Sequence, residues 1–265
     1  MNTTTRTIDV NCDMGESFGA YTMGHDAECM RYISSANVAC GFHAGDWATM
    51  RATVEAAADA GVSVGAHPGL PDIQGFGRRA MAMSPRDIHG IVLYQIGALL
   101  AFCRAAGVPL AHVKPHGALS HMASSDAAIA DAVCQATALV DRGLLFYSPM
   151  GSLMTGAAQR AGLRVVNEVY ADRSYQRSGL LTPRGQPGAM IETVDAAIEQ
   201  VLVMVNEGYV VALDGQKVPV QADSVCVHGD QPQAVSFAAA LKAALEDHGI
   251  RIAAPNAGRP HADRP

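Results

Sequence analysis

Aromatic residues make up only 5% of the 265 residues, with a single tryptophan, and charged residues only 17%. Basic residues form no block anywhere, which argues against a nucleic-acid footprint and against a polybasic membrane anchor. No uninterrupted apolar run approaches the ~18 residues of a membrane-spanning helix. The first residues, MNTTTRTIDVNCD, contain no apolar signal-type stretch. A cytoplasmic location is therefore expected. The six cysteines, Cys12, Cys29, Cys40, Cys103, Cys134 and Cys226, form no C-x-x-C pair, so neither a zinc knuckle nor a dithiol redox motif is supported and they read as small buried hydrophobes. Also missing are a G-x-x-x-x-G-K-[ST] phosphate loop, a G-x-S-x-G elbow, a strand-linked G-x-G-x-x-G and an H-E-x-x-H helix. Familiar nucleotide binding and a serine triad are excluded by these absences.

What remains is a chain that is 49% hydrophobic with a net charge of −6, the composition of a well-buried globular protein. Short apolar runs alternate with Ala/Met/Leu-rich helical patterns. Strands are expected at 7–12, 36–40, 62–66, 111–114, 144–147, 164–169 and 224–227, and helices at 48–60, 85–106, 127–139 and 193–207, among others. Ser84 followed by Pro85 reads as an N-cap and first helical residue, and Ser125 or Asp126 as the next cap. Gly61, Gly107, Gly143 and Gly162 stand where left-handed C′ residues are expected. Repeated β–α units imply a parallel sheet with helices outside. About seven units favour a distorted seven-stranded parallel β/α barrel, with a doubly wound open sheet as the alternative. Residues 209–213 and 217–221 around Asp214-Gly215 read as a β-hairpin on a primed turn. One domain is expected over 1–252, followed by a disordered Pro/Ala/Gly/Arg-rich tail over 253–265.

Four of the ten histidines share one setting. His43, His67, His116 and His228 each follow an apolar run and lie beside glycine, in NVACGFHAGD, VSVGAHPG, HVKPHGAL and SVCVHGD. In β/α barrels such carboxyl ends of strands carry the chemistry, because loops converge there. In DVNCDMGE, acid residues alternate along a strand and spill into its loop, so Asp13 and Glu16 are candidates for a general base or a metal ligand. Asp46 reads equally as a helix cap. Arg78 and Arg79, after a Gly-rich loop, suit an anion or simply a solvated pair. Lys114 at a buried strand end needs a charge partner or a shifted pKa and suits an oxyanion-stabilising role. Glu168 points inward or to the mouth. Asp172 and Arg173 pair with each other or contact substrate, and Asp230 caps a helix or joins the pocket. A divalent metal is left open: His43, His67, His116 and Asp13 would have to converge, and their spacing does not decide it.

The stretches DVNCDMGESFG, NVACGFHAGD, GAHPGLPDIQGFGRR, VKPHGAL, EVYADRSY and CVHGD together resemble the LamB/YcsF family, whose members serve as the A component of bacterial 5-oxoprolinases. They occur in the family's order across residues 9–230. Ser120 and His121 stand where Tyr and Asn are usual, and Tyr170 where Phe is common. The resemblance implies a seven-stranded barrel of the glycoside hydrolase/deacetylase type. It implies ATP-dependent opening of the lactam 5-oxo-L-proline to L-glutamate, with ATP as co-substrate and subunits B and C as partners; a homo-oligomer is left open. It implies catalytic roles for Asp13, His43, His67, Lys114, His116 and Glu168, and substrate contacts from Arg78, Arg79, Asp172, Arg173, His228 and Asp230. The competing readings are a metal-dependent amidase or deacetylase and a non-catalytic lactam-binding regulatory subunit.

Overall fold

The structure is a computed structural model that describes residues 6–227 and 234–255. In chain order the elements are β1 (Thr7–Met14), α1 (Asp26–Cys29), β2 (Ser35–Ala39), α2 (Trp47–Ala60), β3 (Ser63–His67), α3 (Pro85–Ala105), β4 (Leu110–Val113), α4 (Gly117–Ser125), α5 (Ala127–Val140), β5 (Leu145–Pro149), α6 (Leu153–Arg160), β6 (Arg164–Tyr170), α7 (Val194–Glu207), β7 (Tyr209–Val211), β8 (Lys217–Pro219), β9 (Ser224–Val227), α8 (Ala234–Asp247) and β10 (Arg251–Ile252). Strands β1 to β6 and β9 pair in parallel, and β9 closes back onto β1 through Asp9–Ser224 to Cys12–Val227. Seven strands therefore form a closed barrel, and closure brings both ends of the sequence to one place. Strand β10, which the sequence pattern does not announce, extends β1 at its start through Thr7 and Ile8.

Local chemistry explains the element boundaries. Asp46 caps α2 by accepting from the backbone N–H of Ala48 and Thr49. Ser84 caps α3 with Pro85 in the first turn, and Asp126, not Ser125, caps α5. Gly61, Gly107 and Gly162 take the expected left-handed conformation. Gly143 does not; there the Asp141 carboxylate closes the turn by accepting from the Gly143 N–H at 2.7 Å. Tyr209–Val211 and Lys217–Pro219 pair antiparallel as expected. Asp214-Gly215 is not a two-residue primed turn, however. Only Gly215 has positive φ, and its N–H bonds the Ala212 carbonyl. That is a tight turn followed by a left-handed glycine, the three-residue hairpin solution.

Helix α3, 21 residues long, is apolar enough by length and composition to cross a membrane, although polar residues interrupt its apolar run. Its Ile88, Val92, Ile96, Leu99 and Cys103 are fully buried, and it packs on β3, β4 and α5. Ala253, expected from composition to lie in a disordered tail, donates its N–H to Ile8 at 3.0 Å; residues 256–265 lie outside the described residues.

Side-chain parity along β1 decides what the barrel contains. Ile8, Val10, Cys12 and Met14 pack into the hydrophobic layer beneath the helices. Asp9, Asn11 and Asp13, on the opposite face, point into the barrel, where they meet polar residues from other strands. Asp9 accepts from Ser34, Ser35, Tyr147 and Ser224 at 2.5–2.8 Å. Its pKa is raised by burial, against the opposing pull of those four donors.

Candidate active site

The carboxyl ends of β1, β2, β3, β4 and β6 surround an ionic centre and a histidine cluster joined by one carboxylate. At the ionic centre Lys114 Nζ lies 2.9 Å from Asp13 Oδ1 and 2.7 Å from Glu168 Oε1. It also donates to Asn11 Oδ1 at 3.0 Å and to Cys226 Sγ at 3.1 Å. Burial opposes the charge on this lysine, but Asp13 foremost, with Glu168, outweighs it and holds the pKa well above the ordinary value. Lys114 is therefore a fixed ammonium and not a free amine. Glu168 Oε2 accepts from the Tyr170 hydroxyl at 2.6 Å. Burial pushes the Cys226 thiol well above its usual range, so this cysteine is a neutral hydrogen-bond partner.

Asp13 connects the two parts. Its Oδ1 takes Lys114 and also Asn37 Nδ2 at 2.9 Å, and its Oδ2 lies 3.2 Å from His67 Nε2. Of the two centre carboxylates, Asp13 has a side chain 12% exposed and Glu168 1%; only the first lines the cavity.

The histidine cluster is tighter still. His67 Nδ1 lies 2.7 Å from the Lys114 carbonyl, and His116 Nε2 lies 2.8 Å from the Phe76 carbonyl. The facing nitrogens, His67 Nε2 and His116 Nδ1, are 3.0 Å apart. His43 stacks on His116 with ring centres 3.7 Å apart, and its Nε2 sits 3.2 Å from Glu16 Oε1. Burial depresses His43 well below its usual range and brings His116 to about 3. Phe76, which supplies the carbonyl for His116, is the one non-glycine residue with positive φ among those described; strain of this kind clusters at functional sites. Next to it, a Cβ on Gly77 would stand 2.6 Å from the His43 Cβ. The stretch from 68 to 84 is held against the cluster by backbone hydrogen bonds. It is pinned where His116 N donates to Pro68 O and Ala118 N to Gly77 O, both at 2.9 Å.

Both centres open onto a cavity of about 540 Å³. Arg78, Arg173 and Arg184 line it, as do Ser120, His121 and Tyr170, the three positions at which the chain departs from the motifs it resembles. Arg173 is 2% exposed. Its guanidinium donates to the backbone carbonyls of Thr182 at 2.5 Å and Ala189 at 3.4 Å, which ties the segment 173–190 across the barrel mouth. Its pKa is lowered, first by burial and then by Arg184.

The structure thus gathers Asp13, His43, His67, Lys114, His116 and Glu168, and places Arg78 and Arg173 on the cavity wall. Arg79 is elsewhere: its side chain is 65% exposed and pairs with Asp72, Nε to both carboxylate oxygens at 3.0 Å. Asp172 does not line the cavity; its backbone carbonyl accepts from Ile191. His228 and Asp230 lie outside the described residues. Sequence reasoning missed Asn11, Asn37, His112 and the hydrogen-bonding part of Cys226. His112 donates to Asn37 Oδ1 at 2.7 Å, and Asn37 donates to Asn11 Oδ1 at 2.7 Å as well as to Asp13. Their signal was strand parity, since His112 and Lys114, or Asn11 and Asp13, are two residues apart on one strand.

Comparisons with known proteins identify the family. A sequence profile described as the LamB/YcsF family matches residues 8–259. The chain is 54% identical over 247 residues to the A component of 5-oxoprolinase from Bordetella parapertussis, covering 93% of this chain and 98% of that one. It is 52% identical to the protein of the same name from Bacillus subtilis, covering 93% and 96%. The crystal structure of a lactam utilization protein from Thermus thermophilus superposes with a TM-score of 0.89 at 48% identity, covering 93% of this chain and 99% of that one. With the barrel, the six motifs and the profile in register, the chain belongs to the LamB/YcsF family.

Proposed function

We propose that this chain is the ring-opening component of an ATP-dependent 5-oxoprolinase, a cytoplasmic enzyme that converts 5-oxo-L-proline to L-glutamate together with two partner subunits, B and C. The observation that carries this reading is the ammonium of Lys114 held between Asp13 and Glu168 at the wall of a cavity that a buried arginine also lines. The names of the close relatives supply the substrate class.

An unstrained amide is a poor electrophile. Opening it requires an activated water and a stabilised oxyanion. Asp13 is the better-placed base: Oδ1 is held by Lys114 and Asn37, while the carboxylate reaches the cavity. Glu168, buried and bonded to Tyr170, positions Lys114. Because Lys114 stays protonated, it serves the developing oxyanion and not a Schiff base. Arg173 and Arg78 suit the substrate carboxylate or a phosphate.

ATP fits as a co-substrate handled by the partners, since this chain has no phosphate-cradling motif. Phosphoryl transfer to the lactam oxygen releases ADP and makes the ring carbon electrophilic. Water then adds to that carbon, losing its proton to Asp13. Expulsion of phosphate at this stage would regenerate the lactam. Productive collapse therefore breaks the C–N bond, the ring nitrogen leaves as an amine after taking up a proton, and an acyl phosphate remains. A second water hydrolyses it to glutamate and inorganic phosphate, so one ATP and two waters are consumed per ring.

The test is glutamate release from 5-oxoproline and ATP by this chain alone, by the partners alone and by all three. Turnover only in the full mixture, lost in Asp13→Ala, is expected. Wild-type turnover in Asp13→Ala would remove the base assignment. Turnover by the isolated chain without ATP would favour a stand-alone amide hydrolase, and lactam binding without turnover in the full mixture a regulatory role.

A further inference from the structure

The lactam chemistry makes no use of the ring tautomers in the histidine cluster. A carbonyl oxygen can only accept, so His67 carries its proton on Nδ1, facing the Lys114 carbonyl, and His116 carries its proton on Nε2, facing the Phe76 carbonyl. In neutral rings the other two nitrogens are lone pairs, and they point at each other across 3.0 Å. Two lone pairs at that distance repel unless something positive lies between or beside them. The surroundings are also electron-rich. Glu16 Oε1 is 3.8 Å from His116 Nδ1 and 3.2 Å from His43 Nε2, and Asp13 Oδ2 is 3.2 Å from His67 Nε2.

We propose that Glu16, His43, His67 and His116 form a binding site for one transition-metal dication of the zinc class. Each residue stands at the end of, or just after, one of four adjacent barrel strands, β1 to β4, so the fold itself brings them together. Their ligand atoms all lie within 4.8 Å of one another, and all four side chains are buried. Bonds of 2.0–2.1 Å in a tetrahedron place ligand atoms about 3.4 Å apart. The separations of 3.0, 3.2 and 3.8 Å bracket that edge. Three imidazoles and one carboxylate select zinc, cobalt or a similar ion over magnesium or calcium, which take oxygen ligands. His67 and His116 also have the outer support that metal-bound histidines have, a carbonyl on the second ring nitrogen that fixes tautomer and orientation. His43 Nδ1 has no such acceptor and lies where a Cβ on Gly69 would meet it at 2.5 Å. His43 is accordingly the weakest of the four ligands. The site stands on tautomers and distances and does not depend on the lactam reading.

The experiment uses the full chain, dialysed against a chelator and then titrated with Zn²⁺ by calorimetry and with Co²⁺ by visible absorption. The expected result is one ion per chain, ligand-field bands from a four-coordinate N/O cobalt site and a higher Tm with either ion. His67→Gln and His116→Gln should each weaken binding about ten-fold or more, a cost of at least about 1.4 kcal/mol, and abolish the rise in Tm, while circular dichroism reports that they are folded. His248→Gln, on an exposed helix end, should keep one ion per chain. Two results would overturn the proposal. One is no binding by the dialysed wild type with a ¹⁵N spectrum showing an imidazolium, in which case a proton separates the two nitrogens. The other is unchanged stoichiometry and affinity in both glutamine variants.

Discussion

The Asp9 layer at the bottom of the barrel and the Asp13 layer at its mouth each centre on an aspartate of β1 and bond it differently. Asp9 is surrounded by four hydroxyl donors, from Ser34, Ser35, Tyr147 and Ser224, all within 2.8 Å. Its acceptor capacity is filled by neutral groups, and the result is a closed structural plug. Asp13, four residues on along the same strand face, is held instead by an ammonium and an amide and faces the lone pair of His67 Nε2, with part of its surface open to the cavity. Below, every charge is quenched by hydroxyls; above, charge faces charge and lone pair faces lone pair. A chain of side chains joins the layers: Ser224, which donates to Asp9, accepts from Asn11, and Asn11 accepts from Asn37 and Lys114. Satisfied polar groups specify a rigid interior. Groups whose partners are charges or lone pairs are poised to act on something that enters.

If that contrast holds, damage at the mouth should cost function and stability together, and damage at the bottom should cost stability first. The largest effect is expected for Lys114→Met, which leaves Asp13 and Glu168 facing each other without the ammonium. Removing one partner of a buried ion pair costs about 3–5 kcal/mol, and turnover in the reconstituted enzyme should be lost. Urea unfolding and glutamate release, measured on the same preparation, check both halves. Next comes Tyr147→Phe, which removes one donor from buried Asp9. A loss of about 1.5–3 kcal/mol is expected for a bond to a charged group, with kcat of the folded fraction nearly unchanged. A fall in kcat as large as that of Lys114→Met would erase the distinction between the layers.

Gly65→Ala tests the space between them. A Cβ there would stand 2.1 Å from the His112 ring, and overpacking of a core costs about 1–3 kcal/mol. The double variant Gly65→Ala/His112→Ala should recover part of the loss; additive losses in the double-mutant cycle would mean the two residues do not meet.

The smallest effect is graded by pH. Burial, and then the charge of Lys114, brings His112 down to about 3, whereas an unfolded histidine titrates near 6.5. Between those values the unfolded chain binds a proton that the folded chain does not. The contribution of His112 is therefore complete above pH 6.5 and declines as pH falls toward 3, by about 1.4 kcal/mol per pH unit within that window. Asp9, with its raised pKa, acts in the opposite sense above 3.8. His112→Asn should flatten the acid limb of the stability curve by one proton, read from urea midpoints at pH 6.5, 5.5 and 4.5. An unchanged slope would show that His112 is not the titrating group.

Much of this molecule is set by local sequence. Alternation of apolar strands with capped helices prescribes a parallel β/α architecture, because a strand buried on both faces and a helix with one apolar stripe have few other ways to pack. Asp46 and Ser84 start their helices through their own side chains, and Gly61, Gly107 and Gly162 end theirs by a backbone conformation that other residues resist. The chemical residues announce themselves by position as well: polar side chains beside glycine at strand ends rarely serve packing. Tertiary structure alone decided the rest. Closure of β9 on β1 set Cys226 and Ser224 beside Asp9 to Asp13, a contact more than 200 residues long that no local pattern encodes. Register placed Asn37 opposite Asp13, and His112 beyond Gly65 in the same row. The loop from 68 to 84 supplied one carbonyl for His116 and sent Arg79 out to Asp72, while neighbouring Arg78 stayed in. The direction of a ring nitrogen depends on which backbone carbonyl lies opposite it, and only the folded chain specifies that.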